Sequence, residues 1–146
     1  MPIFSIKYSD QQISDRLSRI LTQTGNLTPA LQEIGEYMLY AIDQRFVTET
    51  DPQGKPWKPL TAFTLREKQA KGRILKILQS TGLMRSRINY QVTGNQCIVG
   101  VNDEKARKHQ LGIGVPKREF IGVSAVDREQ IINILDDYIR SASDSS

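Results

Sequence analysis

The sequence predicts an α+β fold, with several helices packed on a small, mainly antiparallel sheet in a single domain. Three observations predict it. Apolar residues recur at helical spacing near both ends of the chain. Between them, residues 87–101 alternate apolar and polar side chains about a Thr93-Gly94-Asn95 turn. No linker long enough to separate two domains interrupts the 146 residues.

The first helix is expected from Ser9, with Gln12 three residues on as in a capping box. Ile13, Leu17, Ile20 and Leu21 follow at helical spacing, and Gly25-Asn26 ends the run. A second helix takes Thr28 as its cap and Pro29 as its first helical residue, where the missing N–H costs nothing. Leu31, Ile34, Met38, Ile42 and Phe46 give it an apolar stripe to about Val47, making it the longest element. Thr61 or Thr64 caps a third helix, basic and mostly solvated, which ends at Gly72. ILKIL at 74–78 is apolar but too short for periodicity to separate helix from strand. Ser80-Thr81-Gly82 marks a turn.

In the alternating stretch Ile88, Tyr90 and Val92 share one face, and CIVGV returns after the turn as the second strand of a hairpin. Asn102 is the expected cap of a short helix with Asp103 and Glu104 at its start and Arg107 and Lys108 near its end, charges that suit the helix dipole. REFIGV at 118–123 reads as a short strand leading to a junction, with Phe120 in the core and Arg118 in an inter-element or inter-subunit salt bridge. Ser124 with Asp127 opens a last helix whose apolar face is Ile131, Ile132, Leu135, Tyr138 and Ile139. The final SASDSS, 141–146, is expected to fray, leaving a domain over 1–140.

Composition narrows the function classes. One cysteine, Cys97, permits no intramolecular disulfide. The start, MPIFSIKYSD, lacks the basic and apolar regions of a signal peptide. No apolar run reaches the roughly 18 residues of a membrane span, so a protein made in the cytosol and away from membranes is expected. The one histidine, His109, sits among basic residues with no second His or Cys at metal spacing, so neither a metal nor a cofactor is expected. GIGVP at 112–116 lacks the strand, glycine loop and helix of a phosphate loop. Asp136 and Asp137 are adjacent on a helix and point apart. Candidates for acid, base or nucleophile are too few for an enzyme. A small metal-dependent nuclease would have to draw on Asp51, Glu67, Asp103 and Glu104.

Charge is unevenly distributed. Residues 51–118 hold fourteen Lys and Arg against four Asp and Glu, an excess of ten, whereas the flanks hold six against twelve. A middle this positive suits a phosphate backbone or an acidic protein face as well as it suits a solvated surface. Within it lies DPQGKPWKPL, three prolines and a glycine around the chain's one tryptophan. Proline fixes φ and leaves the loop pre-ordered, so Trp57 can be held at low entropic cost. It could anchor a partner or close the protein's own core. A loop crossing from a long helix to a sheet needs a pin, which favours the core, with the heads of Lys55 and Lys58 exposed.

The order of motifs is informative. Pro52-x-Gly54-x-x-Trp57-x-x-Leu60 is followed by Thr64, Lys68, Gly72 and Leu78, then by Thr81-Gly82-Leu83. Val99-Gly100, Ala106-x-x-His109-Gln110-x-Gly112 and Pro116-x-Arg118-x-Phe120-x-Gly122 complete the series. Over about residues 28–140 this resembles the phage virion morphogenesis family, related to the tail completion protein S of contractile-tailed phages. Lys117 and Lys105 depart from it, standing where family members often carry a small residue and an aromatic.

The resemblance implies a non-enzymatic assembly protein that completes the tail or joins it to the head, working in the host cytoplasm and then in the virion. It further implies a homo-oligomeric ring around the DNA channel, commonly six-fold, whose neighbours are tail-tube or head–tail connector proteins. On this reading Trp57, Lys55, Lys58, His109, Gln110, Arg118 and Phe120 form assembly surfaces or their supports. Lys68, Lys71, Arg73, Lys76, Arg107 and Lys108 are the candidates to face DNA. The competing expectation is a sequence-independent nucleic-acid-binding protein using the 51–118 segment, whose affinity would fall steeply with salt.

Overall fold

The computed structural model describes residues 4–5, 8–79 and 82–144. Its elements are β1 (Phe4–Ser5), α1 (Gln11–Thr24), α2 (Thr28–Thr48), α3 (Ala62–Ala70), α4 (Leu83–Ser86), β2 (Ile88–Thr93), β3 (Gln96–Val101), α5 (Glu104–Leu111) and α6 (Ala125–Asp144). The architecture is α+β. The antiparallel sheet has the order β1-β3-β2, with Phe4 opposite Val101 and Ile88 opposite Val101 on the other side. In the hairpin Thr93 faces Gln96, leaving a two-residue turn in which Gly94 takes the positive φ of 59° that primed turns require. β1 and α4 carry no sequence pattern long enough to announce them, and both were missed in the sequence.

Helix α2 organises the rest, packing on β2 and β3 and also on α6, which in turn packs on α1. Every residue of its predicted stripe is buried. Along this helix the core divides in two. Leu31, Ile34 and Met38 join Ile20, Leu27, Ile131, Leu135 and Ile139. Ile42 and Phe46, toward the other end, join Trp57, Ile77, Val101, Ala106, Phe120 and Ile121.

Three predicted caps lie one residue off. α1 is capped by Asp10, not Ser9: Asp10 Oδ1 accepts from the Ile13 N–H at 3.1 Å while Oδ2 accepts from Arg128 of α6. α2 begins at Thr28, with Leu27 as the cap residue in helical backbone and no side-chain cap bond. Burial of Leu27 in the first cluster holds it there, and Asn26 Oδ1 accepts from the Thr28 N–H instead. α5 is capped by Asp103 rather than Asn102, because Asp103 accepts from the Lys105 N–H at 2.9 Å and also meets Arg87. Tertiary charge partners decide two of the three.

Other expectations resolve differently. ILKIL is neither helix nor strand. Leu78 there has a φ of 61°, which fits neither, and the segment turns so that Ile77 enters the core. Ser80 and Thr81 of the expected turn lie outside the described residues. α6 continues through Asp144, so 141–144 is helical rather than frayed. REFIGV is not a strand. Its backbone groups are taken up by side chains, as described next. Thr61 and Gly25 do cap as expected, and Ser124 and Asp127 exchange reciprocal bonds of 2.9 and 3.0 Å.

Candidate assembly surface

The motif-rich segments 51–60, α5 and 116–123 meet at one end of α2. Segment 116–123 is neither helix nor strand and bends at 121–122, so its buried N–H and C=O groups need other partners. Gln110 supplies most of them. Its Oε1 accepts from the N–H groups of Phe120 and Ile121 at 3.0 Å each, and its Nε2 donates to the Ile121 carbonyl at 2.7 Å. One amide side chain thus substitutes for a strand. The indole Nε1 of Trp57 donates to the Glu119 carbonyl at 2.7 Å. Arg45 Nη1 donates to the carbonyls of Phe120 and Gly122 at 2.7 and 3.0 Å. The Arg118 N–H donates to the His109 carbonyl.

Trp57 is buried against its own domain, 4% exposed, and meets Phe46 edge-on with ring centroids 5.5 Å apart. The heads of Lys55 and Lys58 face solvent. Both features agree with the reading of the loop as pinned to its own core. Arg118 differs from expectation. It is buried and donates through Nε to the Lys58 carbonyl at 2.9 Å, and through Nη2 to that of Pro59 at 3.4 Å. Lys117, not Arg118, pairs with Glu119. Arg118 therefore stitches the proline loop to segment 116–123. Burial pushes its pKa down, against an opposing pull from Glu49.

Trp57, Gln110, Arg118 and Phe120 are thus internal supports. His109 is half-buried, and its Nδ1 has no hydrogen-bond partner among the described residues. Burial, then the charge of Arg118, push its pKa below the usual imidazole value. His109 lines a groove of about 600 Å³ between α3, α4 and α5, with Leu60, Met84 and the cations Lys68, Arg87 and Lys105 around it.

The basic candidates separate into two sets. Lys68 donates to the Lys76 carbonyl, and Lys76 reaches the Val47 carbonyl and pairs with Glu49 at 2.7 Å. These two fasten the 71–79 turn to α2 and to α3. Lys71, Arg73, Arg107 and Lys108 are exposed, as is Arg66. Helix α3 buries none of its residues and presents Phe63 and Leu65 to solvent.

Sequence reasoning missed the ion pair that ties the two ends together. Arg45 of α2 and Asp127 of α6 are both buried, with side chains 7% and 5% exposed. Tyr37 donates to the same carboxylate at 2.9 Å, and burial with that bond pushes its phenol up to about 12. The available signal was phase: Arg45 stands three residues after Ile42, on the apolar face of α2. Cys97 is partly buried, which raises its thiol to about 11 and leaves little thiolate at neutral pH.

Among the described residues no group of three or more His, Cys, Asp or Glu could hold a metal ion, and no helix is long and apolar enough to cross a membrane. The chain is 28% identical over 144 residues to Mu-like prophage FluMu G protein 2 of Haemophilus influenzae, covering 89% of this chain and 91% of that one. No solved structure matches it. The model of the phage virion morphogenesis family matches residues 8–140, and with nearly the whole domain matched the chain belongs to that family.

Proposed function

We propose that this protein is a non-enzymatic component of a prophage-encoded virion that completes the tail, or joins it to the head, as a ring at the head-proximal end. The observation that carries the reading is the extent of the family match, which includes the proline loop, α5 and the 116–122 segment together. The relative's name supports a Mu-like prophage origin.

The geometry suits docking work. A cross-tied base of Gln110, Trp57, Arg45 and Arg118 keeps segment 116–123 and the proline loop in one arrangement. A surface rigid before binding gives up less entropy on association. The same molecule also presents an exposed helix and exposed cations that can meet a neighbour. Assembly would begin in the host cytoplasm and end in the tail or neck of the particle, beside tail-tube or connector proteins.

The test is electron microscopy of lysates from the parent phage with this reading frame disrupted. Filled heads beside separate or abnormal-length tails are expected. Intact, infectious virions would overturn the reading.

A further inference from the structure

The C-terminal end and the middle of α2 present unlike surfaces. The helix has 21 residues, so it spans about 30 Å. At its C-terminal end the 71–79 turn is fastened to it by Lys76 and by Gln79, whose Nε2 donates to the Phe46 carbonyl. That end carries the arm made by α3 and the turn. Phe63 is 63% exposed and Leu75 50%, and Arg66, Lys71 and Arg73 stand exposed beside them. Around the middle of the helix, Glu33, Glu36 and Tyr40 are spaced to share one outward face, with Glu36 also accepting from the Tyr90 hydroxyl at 2.9 Å, and Tyr40 is 63% exposed. Glu36 lies about 16 Å along the axis from Val47, where the turn is fastened.

An exposed arm that holds aromatic and aliphatic side chains out in water among cations has the composition of a protein interface. A surface for the phosphate backbone of duplex DNA needs the cations but gains nothing from Phe63, Leu65 and Leu75 held out in water. The partner it fits carries carboxylates around an aromatic, and this chain presents that surface itself.

We infer that the arm of one copy docks on the Glu33–Glu36–Tyr40 face of the next, giving a head-to-tail contact between unlike surfaces. Such a contact closes into a ring when its rotation permits, and otherwise extends as a filament. This rests on the ring reading above and supplies its interface.

The experiment uses two charge-reversed proteins. One carries Arg66→Glu, Lys71→Glu and Arg73→Glu, and the other carries Glu33→Lys and Glu36→Lys. Sedimentation velocity of each is compared with the unaltered protein at about 50 mM salt, where charge pairs are weakly screened. The unaltered protein self-associates, each altered protein does so at least about tenfold more weakly, and an equimolar mixture of the two regains association. All five positions are exposed, and circular dichroism verifies the fold. Phe63→Ser, on a helix that buries nothing, gives the same loss without any change of charge.

An unaltered protein that stays monomeric at about millimolar concentration overturns the inference. So does self-association indifferent to both reversals, or a mixture that fails to recover. Retarded duplex DNA that depends on Arg66, Lys71 and Arg73, with no self-association, would make the arm a nucleic-acid surface instead. The lysate experiment tests the function independently. Tail defects with reversal-insensitive association would sink the surfaces alone. Normal virions with the mixing result intact would sink the functional reading alone.

Discussion

Arg45 and Asp127 form an ion pair sealed from solvent between α2 and the first turn of α6. The pair is fully engaged: Arg45 also donates to two carbonyls of segment 116–123, and Asp127 also accepts from Tyr37 and from the Ser124 N–H. Asp127→Ala leaves the guanidinium buried without a counter-charge. Loss of one partner of such a pair costs about 3–5 kcal/mol. Urea unfolding of Asp127→Ala and of Arg45→Met should each show a loss of that order. Because the two share one interaction, the double variant should lose clearly less than the sum of the singles.

Gln110 is the next most consequential polar side chain. Gln110→Ala deprives the N–H groups of Phe120 and Ile121 and the Ile121 carbonyl of their partners inside the core. Each buried group left unsatisfied costs about 1–3 kcal/mol. A loss of at least about 2 kcal/mol in unfolding free energy is expected. Faster amide hydrogen exchange should be confined first to Phe120 and Ile121. Unchanged exchange at both would show that the amide is not their partner in solution.

Gly35 illustrates a constraint that helix propensity would misjudge. Replacing a mid-helix glycine by alanine ordinarily stabilises by about 1 kcal/mol. Here a Cβ would lie 2.3 Å from Cδ2 and 2.5 Å from Cγ of Tyr90, the base of a ring whose hydroxyl donates to Glu36. Gly35→Ala should therefore destabilise. Adding Tyr90→Ala should remove the clash and recover much of the loss. Thermal melts of the single and double variants decide it.

Much of the fold was legible because its signals are local. The stripe from Leu31 to Phe46, the Thr61 cap, the Ser124–Asp127 capping box and the glycine of the hairpin turn each follow from a few neighbouring residues. The displaced caps of α1 and α5 were not legible, because Arg128 and Arg87 choose Asp10 and Asp103 from distant parts of the chain. REFIGV read as a strand because its composition is a strand's. What it meets is a glutamine, a tryptophan and an arginine rather than another backbone. The candidate surface was half legible: the excess of positive charge was plain, but which cations are spent fastening the 71–79 turn depends on the turn's own fold.

His109 gives a prediction in pH. Burial and the neighbouring Arg118 hold its pKa below the ordinary 6.5. A base whose folded value is lowered binds fewer protons in the native state than in the unfolded one, so its neutral form favours folding. That contribution is fully present above about 6.5 and is lost as pH falls from there toward the folded value. Because the chain has one histidine, its ring-proton resonance can be followed alone. The resonance should titrate below 6.5 in the native protein and return to the ordinary value in urea. His109→Gln should flatten that part of the stability profile. A native midpoint at or above 6.5 would mean that solvent reaches the ring freely, and that the groove beside Arg118 is open in solution.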